Sequence, residues 1–128
     1  MLSAILLSAF VAIAPSVIAP PFPRVRPMSE DARALVEDAA RRSPTIARLL
    51  RTIDRSDAVV YVDLRFEVRG EGATTLFAVS PYWRFIRVTT DKRVRGYRRI
   101  EMLGHELQHA VEIIQAPDVR DSDGMRRL

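Results

Sequence analysis

The apolar residues of this chain change their spacing twice, and this change constrains the fold more than any other feature of the sequence. Between residues 29 and 54 the chain shows helix-start signals and a helical apolar spacing. From Val59 apolar and polar residues alternate, as in a half-buried strand, and from Ile100 the helical spacing returns. Helices, then strands, then a helix predict an α+β domain.

Cap residues predict where the first two helices begin. Ser29 caps a helix that runs to about Arg42, with two acidic residues in its first turn that suit the helix dipole. Ser43 followed by Pro44 is a second start signal, for a helix that reaches about Asp54. The apolar face of this second helix is predicted to consist of Ile46, Leu49, Leu50 and Ile53.

The middle of the chain predicts a small, mainly antiparallel sheet of about three strands. The first strand begins near Val59, and its buried face comprises Val60, Val62, Leu64 and Phe66. Residues 69–72, with two glycines, are interpreted as a hairpin turn. Two further strands are expected at about Thr74–Val79 and Tyr82–Thr89, separated by Ser80 and Pro81.

The last predicted helix carries the strongest functional signal, His105-Glu106-Leu107-Gln108-His109, which contains both histidines of the chain. This is the H-E-x-x-H pattern of zinc-dependent hydrolases. Residues four apart share one face of a helix, so both imidazoles can bind one Zn²⁺. Glu106 is then the expected general base, acting on a water at the metal.

The residues around the motif favour a helix from Ile100 to Gln115 with two distinct sides. At about 100° per residue, one side is apolar, and the two histidines fall on the other together with Glu101 and Glu112. The apolar side comprises Ile100, Leu103, Leu107, Ala110, Val111 and Ile114. Gly104, directly before His105, predicts a close approach of another part of the chain.

The third zinc ligand is left open by the residues. Glu112 lies one turn further along the helix, which favours a role as partner of a ligand over that of a direct ligand. Asp118, Asp121 and Asp123 follow in an expected loop, either as oxygen donors or as a solvated acidic turn. The metzincin extension is excluded, because Glu112 and Gln115 stand at its glycine and histidine positions. A site with only two histidines is predicted to bind zinc weakly.

The stretch from Leu103 to Ile113 is similar to a group of small, uncharacterised bacterial exported proteins with a zincin-like motif. The similarity also takes in Ser43-Pro44-Thr45, Tyr61 and the segment Ala116–Asp121, and so covers most of residues 28–121. Members of that group usually continue with an acidic segment like Glu-Thr-Asp-Ala, which looks like the source of the third ligand. The resemblance therefore implies a zincin-like domain over residues 28–128 that is incomplete at its C-terminal end.

Composition restricts the other kinds of chemistry. The chain has no cysteine, which excludes disulfides and thiolate ligands, and a formal charge of +4 that comes almost entirely from arginine. Because the arginines alternate with acidic residues, we expect a solvated surface and no specific nucleic-acid partner. Tyr82, Trp83 and Phe85 beside Arg84 and Arg87 suggest a stacking surface for single-stranded nucleic acid. The competing interpretation places one face of this run in the core and the other at its rim.

Residues 1–19 carry no charged side chain and predict a signal peptide or a membrane anchor. Either interpretation implies an exported protein, periplasmic or extracellular, or one attached to the membrane through residues 1–19. Translation that starts at Met28 would instead give a cytoplasmic protein. Residues 20–27 contain four prolines and are interpreted as an extended linker.

Two functions follow from these patterns. The first is a zinc metallopeptidase in which His105 and His109 bind Zn²⁺, Glu106 is the catalytic base, and Glu112, Asp118 and Asp121 are candidates for the third ligand or for a role beside it. Its partner would be a peptide or protein substrate, held by strand addition at a sheet edge. The second is a non-catalytic exported binding module on a zincin scaffold, inactive because the third ligand is missing.

Overall fold

Three long helices, four strands and a short final helix form the structure, a computed structural model that describes residues 21–66 and 68–128. The helices are α1 (Glu30–Arg42), α2 (Pro44–Asp54), α3 (Tyr97–Ile114) and α4 (Ser122–Arg126); the strands are β1 (Val25–Pro27), β2 (Ala58–Arg65), β3 (Gly72–Val79) and β4 (Arg84–Asp91). The predicted α+β class is confirmed. The predicted signal peptide or anchor at residues 1–19 lies outside the described residues.

Both N-terminal helices begin where their caps predict. The Ser29 hydroxyl accepts a hydrogen bond from the Ala32 amide at 3.1 Å. The Ser43 hydroxyl accepts one from the Ile46 amide at 3.2 Å, and Pro44 is the first residue of α2. These bonds satisfy amides that have no partner inside their own helix, so local sequence is enough to fix both starts.

The sheet differs from the prediction in its pairing. It has four strands in the order β1-β2-β4-β3. The long β2 pairs in parallel with β4, from Ala58 opposite Arg84 to Arg65 opposite Asp91. Only β3 and β4 are antiparallel. The predicted mainly antiparallel sheet of three strands was therefore wrong, and the sheet is mixed.

The glycine-rich residues 69–72 do not form a hairpin turn. A 3-10 turn at Arg69–Glu71 leads from the end of β2 into β3, and β3 lies on the far side of β4. The hairpin lies further on, between β3 and β4, where the Ser80 amide donates to the Trp83 carbonyl at 2.8 Å. Phe66 was predicted to be buried but is 67% exposed, because β2 ends at Arg65.

The strand β1 lies inside the segment that was predicted as a linker. Val25 pairs with Val60 in parallel and is buried in the core. The Arg24 amide donates to the Asp54 carboxylate at 2.9 Å, which ties this edge strand to the end of α2. Three residues are too few for hydrophobic periodicity to reveal a strand.

The hydrophobic core lies on one face of the sheet. Helices α1, α2 and α3 pack there against alternate residues of the strands, including Val60, Val62, Ile86 and Val88. The helix α3 contacts both β4 and the edge strand β3. Gly104 allows the close packing of α3 on α2, because a Cβ at this position would lie 3.3 Å from the Ile46 side chain.

Candidate functional site

The motif residues lie on α3, whose apolar side holds it against the sheet. Ile100, Leu103, Leu107, Ala110 and Val111 are buried, as predicted, although Ile113 is the more deeply buried residue where Ile114 was expected. His105, His109 and Glu112 are exposed on the other side. The predicted orientation of both histidines is therefore confirmed.

The two imidazole rings approach each other through their Nε2 atoms. His105 Nε2 lies 3.1 Å from His109 Nε2, and the rings meet edge to face with their centroids 4.6 Å apart. Two nitrogens that bind one tetrahedral zinc at 2.0–2.1 Å are about 3.3 Å apart. The donor geometry of these side chains thus fits two positions of a zinc site.

Glu112 contacts the opposite nitrogen of His109, with its Oε2 3.1 Å from Nδ1. A carboxylate only accepts hydrogen bonds, so in the neutral imidazole the proton is on Nδ1. His109 Nε2 then carries a lone pair, which can accept a hydrogen bond from His105 Nε2 or bind a metal. Carboxylates orient metal-binding histidines by contacts of this kind, so the contact agrees with the predicted role of Glu112 as partner of the candidate ligand His109.

Glu106 does not share the exposed side with the histidines but is turned toward the edge strand β3. It is 5% exposed. The Thr74 hydroxyl lies 2.6 Å from Glu106 Oε2 and 3.0 Å from the Glu106 backbone carbonyl. Opposite the carboxylate stands Gly72, where an added Cβ would lie 2.6 Å from Glu106 Oε1. A buried carboxylate needs a hydrogen-bond donor, and the Thr74 hydroxyl of β3 is that donor. Gly72 of the same strand leaves room for the carboxylate.

Sequence reasoning missed Gly72 and Thr74 as parts of this site. Gly72 was interpreted only as a turn residue, and Thr74 only as the start of a strand. Their position beside Glu106 depends on β3 lying at the sheet edge next to α3, which is a long-range feature. The one available signal was their spacing: residues two apart on a strand share a face.

The three aspartates that follow α3 form no metal-binding group with the histidines. Asp118 is exposed, Asp121 caps α4 by accepting the Gly124 amide at 2.6 Å, and Asp123 pairs with Arg126. Within the described ranges, no group of three His, Cys, Asp or Glu side chains is placed to hold a metal ion. The predicted loop is in fact a packed segment that ends in α4, with Val119 in the core.

Arg84 holds the segment that follows α3 in place through hydrogen bonds to its backbone carbonyls. Its guanidinium donates to the carbonyls of Ile113 at 2.7 Å, Ala116 at 3.1 Å and Val119 at 3.3 Å. It also binds the Asp57 carboxylate at 2.8 Å. Arg84 is only 1% exposed, so the suggestion that it belongs to a stacking surface was wrong.

Comparison with models of known families, with curated proteins and with solved structures finds no match for this chain. The similarity to small bacterial exported proteins therefore stays a prediction based on the motif and the segments around it. None of the helices in residues 21–66 and 68–128 has both the length and the apolar character to cross a membrane.

Proposed function

We propose that this chain is a zinc-dependent hydrolase of the metallopeptidase type, with His105 and His109 on the exposed side of α3 and its base, Glu106, turned toward β3. The observation that carries the proposal is the placement of His105 Nε2 and His109 Nε2 3.1 Å apart. The next residue after His105 is Glu106, whose carboxylate faces a sheet edge. A structural metal site has no need of such a base, whereas a hydrolytic one does.

The donor set suits a zinc ion. His105 and His109 would bind it through Nε2, and Glu112 would hold the His109 ring in the required tautomer. Bound zinc supplies Lewis acidity toward a peptide carbonyl and makes a water molecule more acidic. His105 and His109 would supply two of the three protein ligands that catalytic zinc takes, and the described residues place no third donor beside them.

Glu106 would transfer the protons in this reaction. Its carboxylate would take a proton from the attacking water and pass it to the leaving amine. Thr74 would position it, since a hydroxyl 2.6 Å from Oε2 fixes the orientation of the carboxylate. Gly72 leaves room beside Oε1 for this orientation.

An exposed sheet edge supports a peptide as the substrate. The strand β3 is the last strand of the sheet, so one side of its backbone pairs with no other strand among the described residues. On that side the Leu76 amide donates to the Met125 sulfur of α4, at 3.3 Å. An extended peptide that adds to this edge would run past Thr74 and so past Glu106.

The test is hydrolysis of an unstructured protein such as casein, with zinc added in excess. We expect activity in the wild type and its loss in Glu106→Gln, because an amide cannot accept the proton. The matched control is Glu101→Gln, which changes an exposed acid on the same helix. Activity that survives Glu106→Gln would contradict the role of Glu106.

The second candidate is a non-catalytic binding module on the same scaffold. It is favoured by one observation, that Asp118 and Asp121 have positions away from the histidines. A wild type that binds zinc through both histidines yet cleaves neither casein nor a mixed peptide library would favour this candidate.

A further inference from the structure

The face of the sheet opposite to the helices carries a cluster of aromatic rings and arginines. Core residues alternate along the strands, so the residues between them project from the other face. On that face Arg26 of β1 lies opposite Tyr61 of β2, which lies opposite Arg87 of β4. Phe77 of β3 and Phe85 of β4 complete the cluster, which we call the open face.

Three rings of the open face are in contact and partly exposed. The Phe77 ring lies 5.9 Å from the Tyr61 ring and 6.3 Å from the Phe85 ring, measured between centroids. Phe77 is 45% exposed, and Tyr61 and Phe85 are half-buried. Contiguous apolar groups at a protein surface are typical of binding sites.

Arginines lie against these rings. The Arg87 guanidinium is 5.1 Å from the centre of the Phe77 ring, and that of Arg26 is 6.0 Å from the Tyr61 ring. Arg87 Nε is buried and has no hydrogen-bond partner within the described part of the chain. The Arg26 guanidinium donates to the Tyr61 hydroxyl at 3.4 Å, and among the described residues neither it nor Arg87 forms an ion pair with a carboxylate, so both charges are available to an anion.

Two shallow cavities flank the ring cluster, and each combines aromatic and cationic side chains. The first, of about 360 Å³, is lined by Phe66, Phe77 and Arg87, among others. The second, of about 450 Å³, is lined by Trp83 and Phe85, by Arg26 of β1 and by Arg24, which directly precedes β1. The Arg24 guanidinium lies 4.8 Å from the Trp83 ring. The same pairing of ring and cation thus occurs on both sides of the cluster.

We propose that the open face binds single-stranded nucleic acid without sequence preference. Exposed bases would stack on Tyr61, Phe77 and Phe85, while Arg26 and Arg87 neutralise phosphates. A duplex hides its bases inside its own stack and would use only the arginines. The proposal agrees with the expectation of no specific nucleic-acid partner and replaces the predicted stacking run by residues of separate strands. Of that run only Phe85 and Arg87 belong to the open face, which the sheet completes with Arg26, Tyr61 and Phe77.

The experiment measures fluorescence anisotropy of a labelled single strand of twelve thymidines, titrated with the full chain at low salt. We expect saturable binding that Phe77→Leu weakens by about 5-fold or more, since stacking contributes about 1–3 kcal/mol per base. We expect Arg87→Gln to weaken binding as well, and to lower the slope of log K against log salt by about 0.7.

The chain offers matched controls on its helical side. Tyr97 and Arg42 form a similar pair, with the guanidinium 5.7 Å from the ring centre, but lie on α3 and α1. Tyr97→Leu and Arg42→Gln should leave affinity for the single strand within about 2-fold. His105→Ala should also leave it unchanged, which separates this proposal from the zinc site.

Three results would overturn the proposal. One is the absence of saturable binding to the single strand. Another is equal affinity for the single strand and its duplex, unchanged by Phe77→Leu, which would indicate a general anionic attraction. The third is a dimer of this chain that Phe77→Leu dissociates without an effect on nucleic acid, which would mean that a second copy covers the open face.

Discussion

Replacing Arg84 by methionine should destabilise the fold by about 3–5 kcal/mol, the cost of removing one partner of a buried ion pair. The guanidinium binds Asp57 at 2.8 Å and donates to the carbonyls of Ile113, Ile114, Ala116 and Val119. Methionine retains an unbranched stem but cannot donate a hydrogen bond.

The expected loss of stability can be assigned to the separate groups that bind Arg84. Backbone amides of Ala116 and Val119 also donate to the carbonyls of Ile113 and Ala116, so these two carbonyls keep a partner. The carbonyls of Ile114 and Val119 lose the arginine, at about 1–3 kcal/mol each if no water replaces it. Asp57 retains 34% exposure of its side chain and can be hydrated, which limits its share of the loss.

The assay is urea denaturation followed by circular dichroism, on the full chain at neutral pH. With a slope of about 1–3 kcal/mol per molar urea, the midpoint should fall by more than about 1 M. The control is Arg41→Met, whose arginine is 74% exposed and pairs with Asp38 at the surface, and which should cost less than about 1 kcal/mol. If Arg84→Met lies within about 1 kcal/mol of the wild type, Arg84 does not fasten the end of α3.

The same ion pair predicts a dependence on pH. Hydrogen bonding to Arg84 lowers the pKa of Asp57 below its usual value of 3.8. A carboxyl whose pKa is lowered on folding stabilises the protein above its unfolded pKa, and this contribution is lost as pH falls through the folded value. We expect wild-type stability to decline below pH 3.8, and Arg84→Met to lose less stability over the same range.

Three further predictions concern Asp91 at the end of β4 and the two β3 residues, Gly72 and Thr74, that contact Glu106. Hydrogen bonds from Arg93 lower the pKa of Asp91 from 3.8 to about 2, so Asp91→Asn should reduce the loss of stability, followed by circular dichroism, between these pH values. Gly72→Ala should displace Glu106, whose Oε1 would lie 2.6 Å from the new Cβ, and slow casein cleavage while leaving zinc affinity unchanged; equal rates would contradict the close approach. Thr74→Val should slow cleavage and lower stability by about 1–3 kcal/mol, and Thr74→Ser should restore both, since only the hydroxyl is required.

Local signals in the sequence predicted the parts of the fold that depend on neighbouring residues. Ser29 and Ser43 cap their helices as predicted, because a cap bond joins residues only three apart. The exposed side of α3 followed from its periodicity, and so did the proximity of His105 and His109.

The parts that sequence reasoning missed depend on long-range pairing. A strand pattern does not specify its neighbour, so the parallel pairing of β2 with β4 and the edge position of β3 were not predictable from periodicity. Arg84 was misplaced because an arginine between aromatic residues is typical of a surface, whereas here it is surrounded by the carbonyls at the end of α3. Thr74 was missed because its position beside Glu106 depends on the strand pairing that places β3 at the sheet edge.

Zinc titration by calorimetry tests the central claim most directly, because it examines the two imidazoles without requiring a substrate. We predict one zinc per chain, with a dissociation constant on the order of 1–200 μM, since two protein ligands provide about half of the 10–16 kcal/mol of a four-ligand site. Binding should disappear in His105→Ala and in His109→Ala, and persist in Glu106→Gln and in the exposed control Gln108→Ala. A wild type that binds no zinc, or binding that survives His105→Ala, would contradict the account.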